Sequence, residues 1–218
     1  MTLLAALQEE ALDAISIVDL VQKGGWTMAV LGVMSIITVY IFVTRMVVIS
    51  KAKKEPRQLL DNVNSSVLKG DIEAAKAYCR KESTPMAKML KAGLDHITSP
   101  LKNIEVSIEN VGKIELYHLE KNVSLLGMIS GAAPMIGFFG TVIGMITAFI
   151  AISQEEGSVS PKLLSEGIYG AMVTTAGGLL VGIAAYISYN FLVRQIEEVV
   201  HNMEVTTIEF IDLLQKPN

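Results

Sequence analysis

Charged residues along this chain stop altogether in three places. The runs 24–44, 122–154 and 167–193 hold no Asp, Glu, Lys, Arg or His. Each exceeds the ~20 apolar residues that a helix needs to cross a bilayer. Residues 1–7 are apolar but too short for a signal core and have no basic residue before them, so the first run reads as a retained span. Elsewhere the pattern is helical, with no strand-like alternation. Turn signals fall at Gly70-Asp71, Thr84-Pro85 and Ser99-Pro100. Asp71 and Thr84 suit N-caps, and Pro85 suits the first helical position, where its missing N–H costs nothing. After Pro100 comes LKNIEVSIENVGKIELYHLEKNVSLLGM, without a breaker and with Ile104, Ile108, Val111, Ile114, Leu116, Leu119 and Val123 at helical spacing. This predicts that the second span is the upper half of one helix of ~50 residues, near 75 Å long. RQIEEVVHNMEVTTIEFIDLL, with Ile196, Val199, Val200, Met203, Ile208, Ile211 and Leu214, extends the third span in the same way. Residues 8–22 can form a short helix on the membrane surface or a frayed tail, and Trp26 suits an interfacial anchor.

Basic residues give the orientation. Arg45, Lys51, Lys53, Lys54 and Arg57 follow the first run, whereas Lys23 before it faces Glu9, Glu10, Asp13 and Asp19. Lys162 stands against Glu155, Glu156 and Glu166 between the second and third runs, and Arg194 closes the third. The positive-inside rule puts the N-terminus outside and the C-terminus in the cytoplasm. The expected organisation is a periplasmic leader (1–23), a first transmembrane helix (24–49) and a cytoplasmic helical domain (50–121). A second transmembrane helix (122–154), a periplasmic loop (155–166), a third transmembrane helix (167–193) and a cytoplasmic helical tail (194–218) follow. The fold class is thus an all-α membrane protein of three transmembrane helices, two of them extending far into the cytoplasm.

Composition agrees. Of 218 residues, 51% are hydrophobic and 18% charged, with mean hydropathy +0.46; soluble domains carry about 25% charge. A net charge of −4 gives no reason to expect nucleic acid. The single cysteine, Cys79, permits no intrachain disulfide and reads as a small residue buried on a helix; His96, His118 and His201 have no metal-ligand spacing. There is no nucleophile with a base and no phosphate loop following a strand, so neither an enzyme, a metal nor a cofactor is expected.

The runs differ in kind. VLGVMSIITVYIFV in the first is bulky and branched, a surface for lipid. The other two carry small residues: Gly127-x-x-x-Gly131, Gly140-x-x-x-Gly144 and Gly178-x-x-x-Gly182. Gly137, Gly140, Thr141, Gly144 and Ala148 share one face of the second. Ala171, Thr174 or Thr175, Gly178, Gly182 and Ala185 share one face of the third. Lipid removes the hydrophobic drive between helices, so close backbone approach must supply the attraction. These faces can serve packing within one chain, or a self-associating ring or lined channel. Pro134 is tolerable where a neighbour satisfies the carbonyl it frees, and should bend the helix. Proton relays ordinarily need an intramembrane ionisable group, and here only Thr141, Thr174 and Thr175 offer polarity at mid-depth. A hydroxyl can bond its own helix carbonyl; with one at similar depth on each small-residue helix, these can also support a carboxylate that another chain supplies.

APMIGFFGTVIGM (133–145) resembles the second-span signature of the ExbB/TolQ/MotA proton-channel family, and GIYGAMVTTAGGLLVGIAAYISYN (167–190) its third-span signature. The likeness in sequence covers about 125–195; the rest matches in layout, closest to the ExbB branch, since flagellar stators usually have four spans. The resemblance implies a homo-oligomeric ring, a pentamer, in the bacterial inner membrane. Its pore would enclose an ExbD- or TolR-like single-span partner whose intramembrane Asp titrates. The proton-motive force would then drive a TonB-like protein that energises outer-membrane transport. Alternatives are a TolQ-like role in envelope maintenance, a relative powering surface motility, and a non-channel helical scaffold. By position in the motifs, Thr141 and Thr175 carry over as pore-lining hydroxyls, with Thr174 as neighbour. Pro134, Gly137, Gly140, Gly144, Gly178 and Gly182 form the packing or pore face. Two positions depart from the family: Gly170, where a glutamate is frequent, and Ala184, where a proline is. Glu166, one turn before Gly170, is a partial substitute or a solvated loop residue.

Overall fold

A computed structural model describes residues 24–53, 56–154 and 161–215, apart from the side chains at 56, 161–164 and 166. The expected leader, the first half of the connection between the second and third spans, and the last residues of the tail lie outside these. The described residues form seven α-helices. They are α1 (Gly25–Ala52), α2 (Pro56–Leu68), α3 (Ile72–Lys81), α4 (Pro85–Asp95), α5 (Leu101–Glu120), α6 (Val123–Gln154) and α7 (Pro161–Gln215). Three stretches are long and apolar enough to cross a membrane; the first two contain α1 and α6, and the third lies within α7.

The short helices begin where side chains supply their first hydrogen bonds. Gly70 turns the chain at φ +76°, a region that costs glycine nothing. Asp71 then accepts from the Ala74 N–H through Oδ1 at 2.9 Å, capping α3. Thr84 Oγ1 accepts from the Ala87 N–H at 3.3 Å, and Pro85 opens α4.

The single helix expected from Pro100 into the membrane is broken. α5 ends at Glu120, Lys121 is extended (ψ 127°), and Asn122 is left-handed (φ 63°) before α6 starts. Asparagine tolerates that conformation better than most residues with a side chain, so the chain turns without glycine or proline. α7 has 55 residues, about 80 Å of helix. It starts at Pro161, so residues 161–166 are helical where the sequence predicted a loop.

The contacts divide the chain into two units. The first comprises Met1–Tyr40 and Leu125–Ser188, the second Ile41–Ser124 and Tyr189–Asn218. In the first, Leu31, Ile129, Ala133, Val181 and Ala185 are buried together, with Met28, Met34 and Ile136 packed on them. Large apolar side chains such as Ile36, Val39, Phe138, Phe149, Leu180 and Ile183 point outward. Helices apolar on all sides belong in a large protein interior or in lipid. In the second unit α2 packs on α3, α3 on α4, and α4 on α5. Its interior holds Val63, Leu90, Leu94, Ile108, Leu192 and Phe210. Gly93 admits Ile108 and Phe210, which a Cβ there would meet at 2.8 and 3.0 Å. Lys76–Asp95 (3.0 Å) ties α3 to α4, and Lys88–Glu115 (2.8 Å) ties α4 to α5. Cys79 is buried on α3, as its sequence setting implied, and desolvation raises its thiol pKa to about 11.

Candidate functional site: the α6–α7 interface

The two small-residue faces meet each other inside the first unit. Glycine spacing puts one bare patch on each turn or so, and the patches interlock. A Cβ on Gly137 would lie 2.8 Å from the Thr174 carbonyl oxygen and 3.0 Å from Gly178 Cα. One on Gly178 would lie 2.6 Å from the Ala133 carbonyl oxygen. Further along, Gly140 faces Thr174 Oγ1 (2.6 Å), Gly144 faces Ala171 Cβ (3.1 Å), and Gly167 faces Ala148 Cβ (2.5 Å). No side chain fits at Gly137 or Gly178, because the obstacle is backbone. The Gly127-x-x-x-Gly131 spacing does not take part in this contact through Gly131, where a Cβ would meet nothing within 4 Å.

Pro134 lies against Gly182, whose Cβ would stand 2.6 Å from the ring and 3.1 Å from the Ser130 carbonyl oxygen. That carbonyl is the one left without an amide by the proline. Gly182 therefore accommodates both the ring and the carbonyl it frees.

The three threonines fare differently. Thr174 is 2% exposed; its Oγ1 donates to the Ala171 carbonyl at 2.7 Å and lies 3.4 Å from the Gly137 carbonyl oxygen. Thr175, half-buried, donates to the same Gly137 carbonyl at 3.3 Å. Thr141 is partly exposed and donates to Phe138 of its own helix at 2.6 Å. The structure thus brings Thr174 and Thr175 together on one carbonyl of α6 and leaves Thr141 apart from them. With its proton committed, each hydroxyl still presents acceptor lone pairs.

A cleft of about 200 Å³ opens beside this contact, between the start of α1, α6 and α7. Thr27, Thr147, Gly170 and Thr174 are among its lining residues. Sequence reasoning passed over Thr27 and Thr147. Thr147 could have been found, since it lies seven positions after Gly140 on the same stripe. Its hydroxyl donates to the Gly144 carbonyl at 2.8 Å. Gly170, without a side chain, leaves this cleft open.

The contact is neutral and hydroxyl-bearing, and it lies in a chain with three helices long and apolar enough to cross a membrane. The chain belongs to the MotA/TolQ/ExbB proton channel family, whose match covers residues 81–205. It is similar to a biopolymer transport protein ExbB homolog of Methanothermobacter thermautotrophicus, 26% identical over 194 residues, 87% of this chain and 67% of that one. The ExbB of Neisseria gonorrhoeae is 30% identical over 140 residues, covering 64% of this chain and 60% of that one. The Tol-Pal system protein TolQ of Haemophilus influenzae is 31% identical over 102 residues, 47% and 44% of the two chains. The match thus spans less than two thirds of the last two relatives.

Proposed function

We propose that this chain is the ring-forming subunit of an inner-membrane machine driven by the proton-motive force, of the ExbB type. Five copies form the ring, with N-termini in the periplasm and the 50–121 segment and C-terminal tail in the cytoplasm. The ring encloses the single span of an ExbD- or TolR-like partner. That span brings the aspartate that this chain's membrane helices lack, and a TonB-like protein carries the work to outer-membrane transport. The observation behind this reading is the combination of family membership with charge-free runs that hold no Asp, Glu, Lys, Arg or His. A wall of this kind cannot relay a proton alone. It can present acceptor oxygens to a protonated carboxyl and exclude competing charge.

Gly137, Gly140, Gly144, Gly178 and Gly182 are occupied by packing within the chain, so in this reading they hold α6 and α7 at fixed separation. Thr141, partly exposed, and Thr175 are the hydroxyls that face the partner. The test is the Thr141→Val, Thr175→Val double variant, co-expressed with an aspartate-bearing partner and reconstituted in vesicles. Proton influx should fall severely while the complex still purifies; undiminished influx refutes the role. A Tol-linked role is the second reading, favoured by the TolQ relative. Complementation of strains lacking either system separates the two.

A further inference from the structure

A second cavity, of about 660 Å³, lies within the second unit, between the end of α1, the α3–α4 turn and the end of α5. It takes no part in the α6–α7 contact. Three lysines line it: Lys51 from α1, Lys81 from α3 and Lys88 from α4. They are not equivalent. Lys88 is held by both oxygens of Glu115, at 2.9 and 2.8 Å, and that pair is internally neutral. Among the described residues neither Lys51 nor Lys81 makes an ion pair; Lys81 stands 6.0 Å from the Tyr78 ring centre. Glu82 is the remaining carboxylate of the lining and is exposed. His118 on the α5 wall accepts through its carbonyl from Arg45 Nη1 at 3.2 Å; Arg45 itself does not line the cavity. Val48, Ala52 and Leu119 give the cavity an apolar side.

Its level along α1 bears on the ligand chemistry. The charge-free run ends at Thr44, after about 30 Å of helix, which matches the hydrocarbon thickness. Lys51 follows by roughly two turns, or about 10 Å, where phosphate headgroups lie. Basic pockets beside membrane helices at that level suit anionic headgroups.

We propose that this cavity binds a phosphate anion through Lys51 and Lys81, with Val48, Ala52 and Leu119 as the apolar side of the site. A phospholipid headgroup and a soluble phosphate share this chemistry. The inference rests on the membrane placement of α1 and is independent of the channel role.

The test uses the full-length protein in neutral detergent, wild type and Lys51→Gln, Lys81→Gln. Phosphatidylglycerol, phosphatidylcholine and inorganic phosphate are added separately. Native mass spectrometry reads retained lipid, and thermal unfolding reads stabilisation. Wild type should retain phosphatidylglycerol over phosphatidylcholine, with affinity falling roughly 25-fold in the double variant. Lys51→Arg, Lys81→Arg should restore binding, and circular dichroism checks that each variant is folded. Stabilisation of wild type, but not of the glutamine variant, by inorganic phosphate to the same extent would identify a soluble source. Equal phosphatidylglycerol retention by wild type and the glutamine variant overturns the site. So does an equal loss in Lys102→Gln, Lys113→Gln, which removes the same charge outside the cavity.

Discussion

The α6–α7 contact and the interior of the second unit pack helices by opposite means. At α6–α7 the joining surfaces are glycine, alanine and threonine, and the bulky side chains point away. In the second unit the bulky side chains, Leu90, Ile108 and Phe210 among them, point inward, and ion pairs bind the rim. The difference follows from the surroundings each surface is built for. Where water surrounds a helix pair, burying a large side chain is worth about 1.5–3 kcal/mol. Where lipid does, that gain disappears, and what remains is contact between backbones brought close. One sequence of helices therefore obeys two packing rules, and glycine content marks which one applies.

The largest expected effect tests the water rule. Phe210→Ala should cost about 3–5 kcal/mol, read by thermal unfolding of the purified protein. A loss under 1 kcal/mol would mean that Phe210 is not the core residue its complete burial suggests. Next comes the lipid rule. Gly178→Val drives a side chain into the Ala133 carbonyl and the Gly137 backbone, at a cost of about 1–3 kcal/mol or more. Gly131→Ala, in the same kind of motif but facing open space, should stay within about 0.5 kcal/mol of wild type. If the two glycine variants behave alike, the contact is not what the motif serves. The smallest effect sharpens the comparison from inside the second unit. Cys79 has a pKa raised by burial to about 11, so its neutral thiol is favoured in the folded protein. The associated stability is fully present below pH 9 and is lost as pH rises through about 11. A thiol reagent at pH 7.5 should label Cys79 slowly in the folded protein and rapidly after denaturation; fast labelling in both would show the packing around α3 to be open.

Much of this was legible because local chemistry determines it. Apart from Gly24 and Asn122, the charge-free runs lie within α1, α6 and α7, and the caps at Asp71 and Thr84 need only their own side chains and the amides three residues on. The break at Lys121–Asn122 was hidden, since neither residue is a breaker by type and helical periodicity persists across it. The start of α7 was misplaced because hydropathy ends at a charged residue, whereas a helix with Glu166 in its first turns loses nothing. In the site, facing glycines were readable from spacing, but spacing alone could not separate Gly131 from Gly140. That distinction depends on what stands opposite. The choice between Thr174 and Thr175 was open for a similar reason. Neighbours on a helix differ by about 100°, and the structure buries the first while keeping the second on the same carbonyl.

The left-handed residue at Asn122 has a consequence for where oil can begin. A helix that stops and another that starts leave carbonyls and amides without intrahelical mates, and hydrocarbon tolerates none of them unpaired. The main chain thus predicts its own waterline: lipid tails should reach down α6 no farther than the vicinity of Val123.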